Sequence, residues 1–242
     1  MPYSNLPAAR ANLILASLPD SALQAIASDL HLVRLEVRHV LQPPGEAVTE
    51  VMFPLHGVAS MVSLGVTGNS VEVATIGCEG MVGLPIFLGG ATAAVEIFVQ
   101  VPGEGLRISA EVFRHHLDRE PSLTHSLLLY TQALLTQVAQ CSACNVYHPV
   151  EARCARWLLQ THDRVKGDVF SLTQDFLGLM LGVRRATVSE TASALQDRGL
   201  IRYHRGAITI RNRKGLEAAA CDCYELISKE YDRLLGPVRK AA

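Results

Sequence analysis

Ser171–Ile210 limits what this chain can fold into more than any other stretch. It reads SLTQDFLGLMLGVRRATVSETASALQDRGLIRYHRGAITI, and its apolar period changes along its length. Phe176, Leu177, Met180 and Leu181 recur at helical spacing and give a first helix one apolar face. Gly182 follows at once. Glycine accepts a left-handed backbone, so one helix can end there and the next leave at a steep angle. The second helix starts near Arg184, with Val188, Ala192 and Leu195 inward at i, i+4 and i+7. Its other side carries Arg184, Arg185, Thr187, Ser189 and Glu190. Such a face suits a DNA major groove, and an ordinary solvated helix shows the same composition. The next residues favour the groove. Ile201–His204 and Ala207–Ile210 flank Arg205-Gly206, a short turn between two β-prone runs. A helix-turn-helix followed by a basic-tipped hairpin is a winged helix, with Arg202, His204 and Arg205 placed to meet phosphate.

The segment LTQDFLGLMLGVRRATVSETASALQDRGLI resembles the DNA-binding signature of the Crp/Fnr family of bacterial transcription regulators. Gly178, Gly182, Val188, Leu195, Gly199, Leu200 and Ile201 stand where that family has them. Thr191 departs from it, at a position where an aliphatic core residue is usual. The resemblance is strong over 150–210 and topological in the first half. It implies an α+β chain: an N-terminal antiparallel β-roll of jelly-roll-like, cyclic-nucleotide-binding type, a long dimerisation helix, and a C-terminal winged helix-turn-helix. The corresponding domains are 1–120 (sensor), 121–145 (dimerisation helix) and 146–242 (DNA binding).

Charge divides along the same line. Residues 1–145 hold 6 of the 22 Lys and Arg but 12 of the 23 Asp and Glu, a balance of −6. Residues 146–242 hold the other 16 and 11, a balance of +5. Only the second half suits a polyanion. A hydrophobic content of 49% against 19% charged supports packed cores. No uninterrupted apolar run reaches spanning length, and Met1–Arg10 lacks a charged start before an apolar block, so the expectation is a cytoplasmic protein with no membrane partner.

Six cysteines are present: Cys78, Cys141, Cys144, Cys154, Cys221 and Cys223. Cys141-x-x-Cys144 and Cys221-x-Cys223 are close pairs without a partner pair at zinc-finger spacing. His148 lies four residues after Cys144. Burial as small residues in helices is the plainer expectation, with no metal assigned. Haem, or a metal held by cysteines and His148, stays open as a cofactor. The N-terminal cysteine cluster of Fnr-type oxygen sensors is absent.

Along the chain, Asn12–Ala27 reads as one or two short helices, the second opening at Pro19-Asp20-Ser21. Short valine- and phenylalanine-rich runs follow: Leu32–Val37, Val51–Leu55, Val58–Leu64, Val71–Ile76, Val95–Val101 and Leu106–Ile108. Pro43-Pro44-Gly45, His56-Gly57, Gly65 to Ser70 and Pro102-Gly103 break them. Such spacing predicts a small antiparallel barrel or roll. Ser109–Glu120 reads as a helix capped by Ser109. Pro121 opens a longer helix to about Asn145. Leu127, Leu134 and Cys141, spaced by seven, with Val138 beside them, predict the dimer seam, and Thr131, Val138 and Asn145 a second one. The rival arrangement packs that helix on the roll. Asn145–Val150 is the expected hinge. Glu151–His162 is a helix, Val169–Leu172 a strand, Leu216–Leu235 a closing helix, and the residues from Pro237 a frayed tail.

Cyclic-nucleotide-binding members of the resembled family carry a Gly-Glu pair and a later Arg-Ser/Thr pair on the phosphate. Here Gly83 fits the loop glycine, but Leu84 takes the glutamate position and Ala93-Ala94 the arginine position. No Arg or Lys occurs between Arg38 and Arg107. The positions that would grip a purine are Val138-Ala139. The chain is therefore not expected to bind cyclic AMP through the family contacts. Backbone amides of the loop at Gly77, Glu79, Gly80 and Gly83 form the remaining candidate anion cradle.

The resulting expectation is a homodimeric, sequence-specific reader of operator half-sites. RNA polymerase and an unidentified small effector are further partners implied by the resemblance. Arg185, Ser189 and Glu190 would read bases. Arg184, Thr187, Arg202 and Arg205 would hold phosphates, with Arg211 and Arg213 behind them. The family's Arg-Glu-x-x-x-Arg set is matched only at Arg185. The alternative is a protein-binding regulatory module. An enzyme is not expected, since no Gly-x-Ser-x-Gly, His-Glu-x-x-His or P-loop occurs.

Overall fold

The computed structural model describes residues 6–65 and 70–237. Short helices α1 (Leu6–Ala9) and α2 (Leu13–Ala16) precede α3 (Asp20–Ala27). The Asn12 side chain caps α2 by accepting from the Ile14 and Leu15 amides, and its Nδ2 donates to the Pro54 and Gly80 carbonyls. One buried amide thus ties the entry helices to the roll.

The roll is one antiparallel sheet of β1 (His31–Leu35), β2 (Val40–Gln42), β3 (Glu50–Leu64), β4 (Ser70–Ile76) and β5 (Glu96–Ser109), with α4 (Leu84–Phe87) between the last two. The strand order is β1-β5-β3-β4, with β2 also on β5. Two pairs of runs that read as separate strands are continuous. Val51–Leu55 and Val58–Leu64 both lie in β3, while Val95–Val101 and Leu106–Ile108 both lie in β5. The supposed turns His56-Gly57 and Pro102-Gly103 face each other, and the register slips at His56 and Val58. A Cβ on Gly103 would sit 2.1 Å from the His56 carbonyl oxygen. These glycines are bulges at a close approach of two bent strands. Of the predicted break from Gly65 to Ser70, residues 66–69 lie outside the described residues.

Helix α5 (Ala110–Arg119) follows, with the Ser109 hydroxyl accepting from the Val112 amide. Then come α6 (Pro121–Tyr147) and, past His148-Pro149, α7 (Val150–His162). The winged unit contains β6 (Val169–Ser171), α8 (Gln174–Leu181), α9 (Arg185–Asp197), β7 (Ile201–His204) and β8 (Ala207–Ile210), with sheet order β6-β8-β7. The expected closing helix is two: α10 (Arg213–Ala219) and α11 (Cys223–Leu235). Ala220 is extended at φ −73 and ψ 158, which turns the chain so that α11 lies along α6. No glycine or proline marks that corner. Of the predicted tail, residues 238–242 lie outside the described residues. Among the described residues no helix is long and apolar enough to cross a membrane.

Two main cores form, and each draws on both halves of the chain. The first joins Phe53, Leu106, Phe113, Leu127 and Tyr130 to Ile227 and Tyr231 of α11. The second joins Trp157, Leu177, Val188, Leu195 and Ile208 of the winged half to Val58, Val62, Phe98 and Val101 of the roll. This placement corrects the dimer seam. Leu127, Leu134 and Cys141 are buried in the chain's own core, and Val138 packs half-buried against it. The solvent face of α6 is instead Leu128, Leu135, Val146 and Tyr147, at 56%, 65%, 75% and 79% exposure.

Candidate nucleic-acid interface

Local chemistry builds the helix-turn-helix. Thr173 Oγ1 caps α8 by accepting from the Phe176 amide at 3.2 Å. Gly182 closes α8 at φ 63, ψ 36, in the left-handed region that glycine enters without a Cβ clash. A Cβ on Gly178 would lie 3.0 Å from the Val183 carbonyl, so a small residue lets the turn close. Val188, Ala192 and Leu195 are buried beneath α9. Thr191 is buried with them, and its hydroxyl donates to the Thr187 carbonyl at 2.8 Å. That bond satisfies the polar atom where an aliphatic residue was expected.

The outer face is open. Arg184, Arg185, Ser189 and Glu190 are exposed, and Thr187 is half-buried. Arg185 Nε lies 3.6 Å from Asp175 Oδ1 at the start of α8, an exposed pair that a base edge could displace. At the hairpin tip Arg205 has φ 49 and Gly206 φ 77, the two left-handed residues of a type I′ turn. Arg202, His204 and Arg205 are exposed there. Among the described residues no acidic side chain pairs with Arg184, Arg202 or Arg205. Arg213 is a correction. Its guanidinium is engaged by Asp163 Oδ1 at 2.6 Å, Tyr224 Oη at 2.6 Å and Glu217 Oε1 at 2.8 Å, so it serves packing and not the outer face.

The winged half docks on the roll through α7, which sequence reasoning did not anticipate. Trp157 Nε1 donates to Glu72 Oε1 at 2.8 Å, and the Ser60 hydroxyl lies 2.7 Å from Glu72 Oε2. Burial pushes the Glu72 carboxyl up to about 7, against the lowering pull of Ser60. Arg164, just past α7, pairs with Glu79 at 2.9 Å, with side chains 6% and 1% exposed. This overturns the candidate anion cradle. Glu79 accepts from the Gly77 amide at 3.0 Å, and a Cβ on Gly77 would meet Arg164 Cδ at 2.4 Å. A Cβ on Gly80 would meet the Tyr130 ring at 2.6 Å, and one on Gly83 the Glu50 carbonyl at 2.9 Å. The loop is filled by the chain's own Arg164 and Tyr130.

Inside the roll a cavity of about 160 Å³ is lined by Gln42, Met61, Met81, Leu84, Ala93 and Ile97, among others. Leu84 and Ala93 are the positions where the phosphate-binding pair was sought. The lining contains no cation, so these residues do not fit a cyclic phosphate.

The cysteines separate into two kinds. Burial pushes the Cys78 and Cys154 thiols up to about 12 and that of Cys141 to about 11. Cys141 lies in the first core, where Arg156 Nη1 donates to its Sγ at 3.4 Å. Cys144 instead meets His148, Cys221 and Cys223, the four ligand atoms all within 4.8 Å of one another, a group that could hold a metal ion. The spacing of Cys144 and His148, four residues apart at the end of α6, was the half of this cluster that the sequence disclosed.

Residues 152–219 match the model of the Crp-like helix-turn-helix domain. No curated protein matches the chain. Among solved structures, FixK2 from Bradyrhizobium japonicum superposes with TM-score 0.66 at 17% identity, over 79% of this chain and 98% of that one. A putative transcriptional regulator of the Crp/Fnr family from Eubacterium rectale gives TM-score 0.65 at 16% identity, covering 85% and 96%. A putative cyclic nucleotide binding protein from Ruegeria pomeroyi gives TM-score 0.61 at 22% identity, covering 88% and 96%. At these identities the likeness is one of fold.

Proposed function

Starting from a chain that carries a Crp-like helix-turn-helix domain on the fold of the Crp/Fnr transcription regulators, we propose that it acts as a dimer that reads DNA operator half-sites. The observation that carries this reading is the exposed face of α9 and the hairpin tip, where Arg184, Arg202 and Arg205 have no acidic partner among the described residues. Arg184, Thr187, Arg202 and Arg205 set affinity through phosphates. Arg185, Ser189 and Glu190 read base edges, arginine suiting guanine and glutamate cytosine.

A single winged helix reads one half-site, so a two-fold partner is part of the reading. The exposed face of α6 supports it. Leu128, Gln132, Leu135, Ala139, Ser142 and Val146 are spaced by four and three in turn, as in a coiled-coil seam, and all are exposed. RNA polymerase is the further protein partner, and the roll is the sensor. The misfit to a cyclic phosphate and the apolar lining around Met61, Met81 and Leu84 favour a small apolar effector. No catalytic step belongs to this reading. Fluorescence anisotropy with duplexes selected from random sequence tests it. Retention that falls steeply with salt supports DNA reading, whereas salt-insensitive binding to protein partners alone supports a protein-docking module instead.

A further inference from the structure

Cys144 and His148 stand one turn apart at the end of α6, His148 being its C-cap. Cys221 and Cys223 flank the corner where α10 gives way to α11. The two pairs are far apart in sequence and meet beside the His148-Pro149 break between α6 and α7. Cys144 Sγ lies 3.4 Å from Cys221 Sγ, and Cys223 Sγ lies 3.4 Å from His148 Nδ1. Around a tetrahedral zinc with zinc–sulfur bonds of about 2.3 Å, neighbouring donors are about 3.5–3.8 Å apart. An iron–sulfur cluster is several ångströms across and spaces its thiolates more widely than these four atoms. The donor set is also one that zinc favours, three thiols and an imidazole.

The surroundings complete the pattern. His148 Nε2 lies 3.5 Å from Asp222 Oδ1, the carboxylate that would hold the proton on that nitrogen and leave Nδ1 free to ligate. Gln140 Nε2 donates to Cys223 Sγ at 3.1 Å. Three thiolates around a dication leave one net negative charge, and Arg153 and Arg156 of α7 lie close enough to offset it.

We infer that Cys144, His148, Cys221 and Cys223 form a structural zinc site that clamps the α10–α11 corner to the end of the long helix. Binding is coordination without redox change. The hydrated dication loses its waters, and the three thiols release their protons to solvent. The clamp holds the winged unit to the end of α6 past the His148-Pro149 break, where α11 already adds Ile227 and Tyr231 to the first core. The inference is independent of the DNA-reading proposal.

The test uses the full chain, purified under reductant. Elemental analysis should find one zinc per chain, released by a thiol-blocking mercurial in step with modification. Cobalt substituted for zinc should give the visible bands of a tetrahedral thiolate site. Cys223→Ser should lose the metal, and Cys141→Ser should keep it. Should Cys223→Ser fail to fold, Asp222→Ala reads the same site from its exposed edge, with metal affinity lowered about 10- to 100-fold. A chain that takes up no zinc from a weak competing chelator, an octahedral cobalt spectrum, or a Cys144–Cys221 disulfide persisting under reductant would each overturn the inference.

Discussion

Arg185 sits in the first turn of α9 beside a single weak acidic neighbour, Asp175 at 3.6 Å. Its replacement by alanine should cost about 1–3 kcal/mol of binding, concentrated at one base position. Competition binding against a panel of single-base operator variants reads that concentration directly. An equal loss on every duplex would make Arg185 a phosphate contact. Glu72 makes a different prediction. Its carboxyl is raised from 4.5 to about 7, so the folded chain holds a proton that the unfolded chain gives up earlier. The folded state therefore loses stability as pH rises from about 4.5 to about 7, with a ceiling of about 3 kcal/mol. Urea unfolding across that range should show a shallower fall of stability with pH in Glu72→Gln than in the wild type, the difference being the share of Glu72. Thr191 shows how a departure from the family pattern is absorbed at this scale, by one bond to a carbonyl a turn back.

At the scale of elements, the helix-turn-helix and hairpin were legible because their signals are local. Helical period, a left-handed glycine and a two-residue turn all sit within forty residues. The face of α6 was not legible. Leu127-Leu128-Leu129 and Leu134-Leu135 put leucine on adjacent positions, so the seam is ambiguous by one residue. The ambiguity is settled by the roll and α11, whose packing is non-local. Two variants separate the faces. Leu127→Ala should cost about 2–5 kcal/mol of stability without changing association. Leu135→Glu should leave stability nearly unchanged and raise the dimer dissociation constant, measured by sedimentation equilibrium. Similarly, β3 and β5 read as four strands because glycine at a bulge and glycine at a turn look alike in sequence. Only the facing of Gly57 and Gly103 distinguishes them.

At the scale of the molecule, what the sequence concealed is how its two halves hold each other. The junction is made by single residues far apart in the chain: Trp157 on Glu72, Arg164 on Glu79, and Phe98 edge-on to Phe176 with ring centroids 5.9 Å apart. None has a periodic signature. Arg164→Ala would leave Glu79 buried without a counter-charge, and should cost about 3–5 kcal/mol by thermal or urea unfolding. The loop that resembled an anion cradle is part of this junction, so the roll and the winged half share a surface where a ligand loop was expected.

The reading of this chain as a two-fold DNA reader is tested most directly by selecting bound duplexes from a random pool with the full-length protein. Enriched sequences should contain two inverted half-sites with centres one helical turn apart, about 34–36 Å, and their affinity should fall steeply with added salt. Enrichment of a lone half-site, or no enrichment over the starting pool, would contradict it.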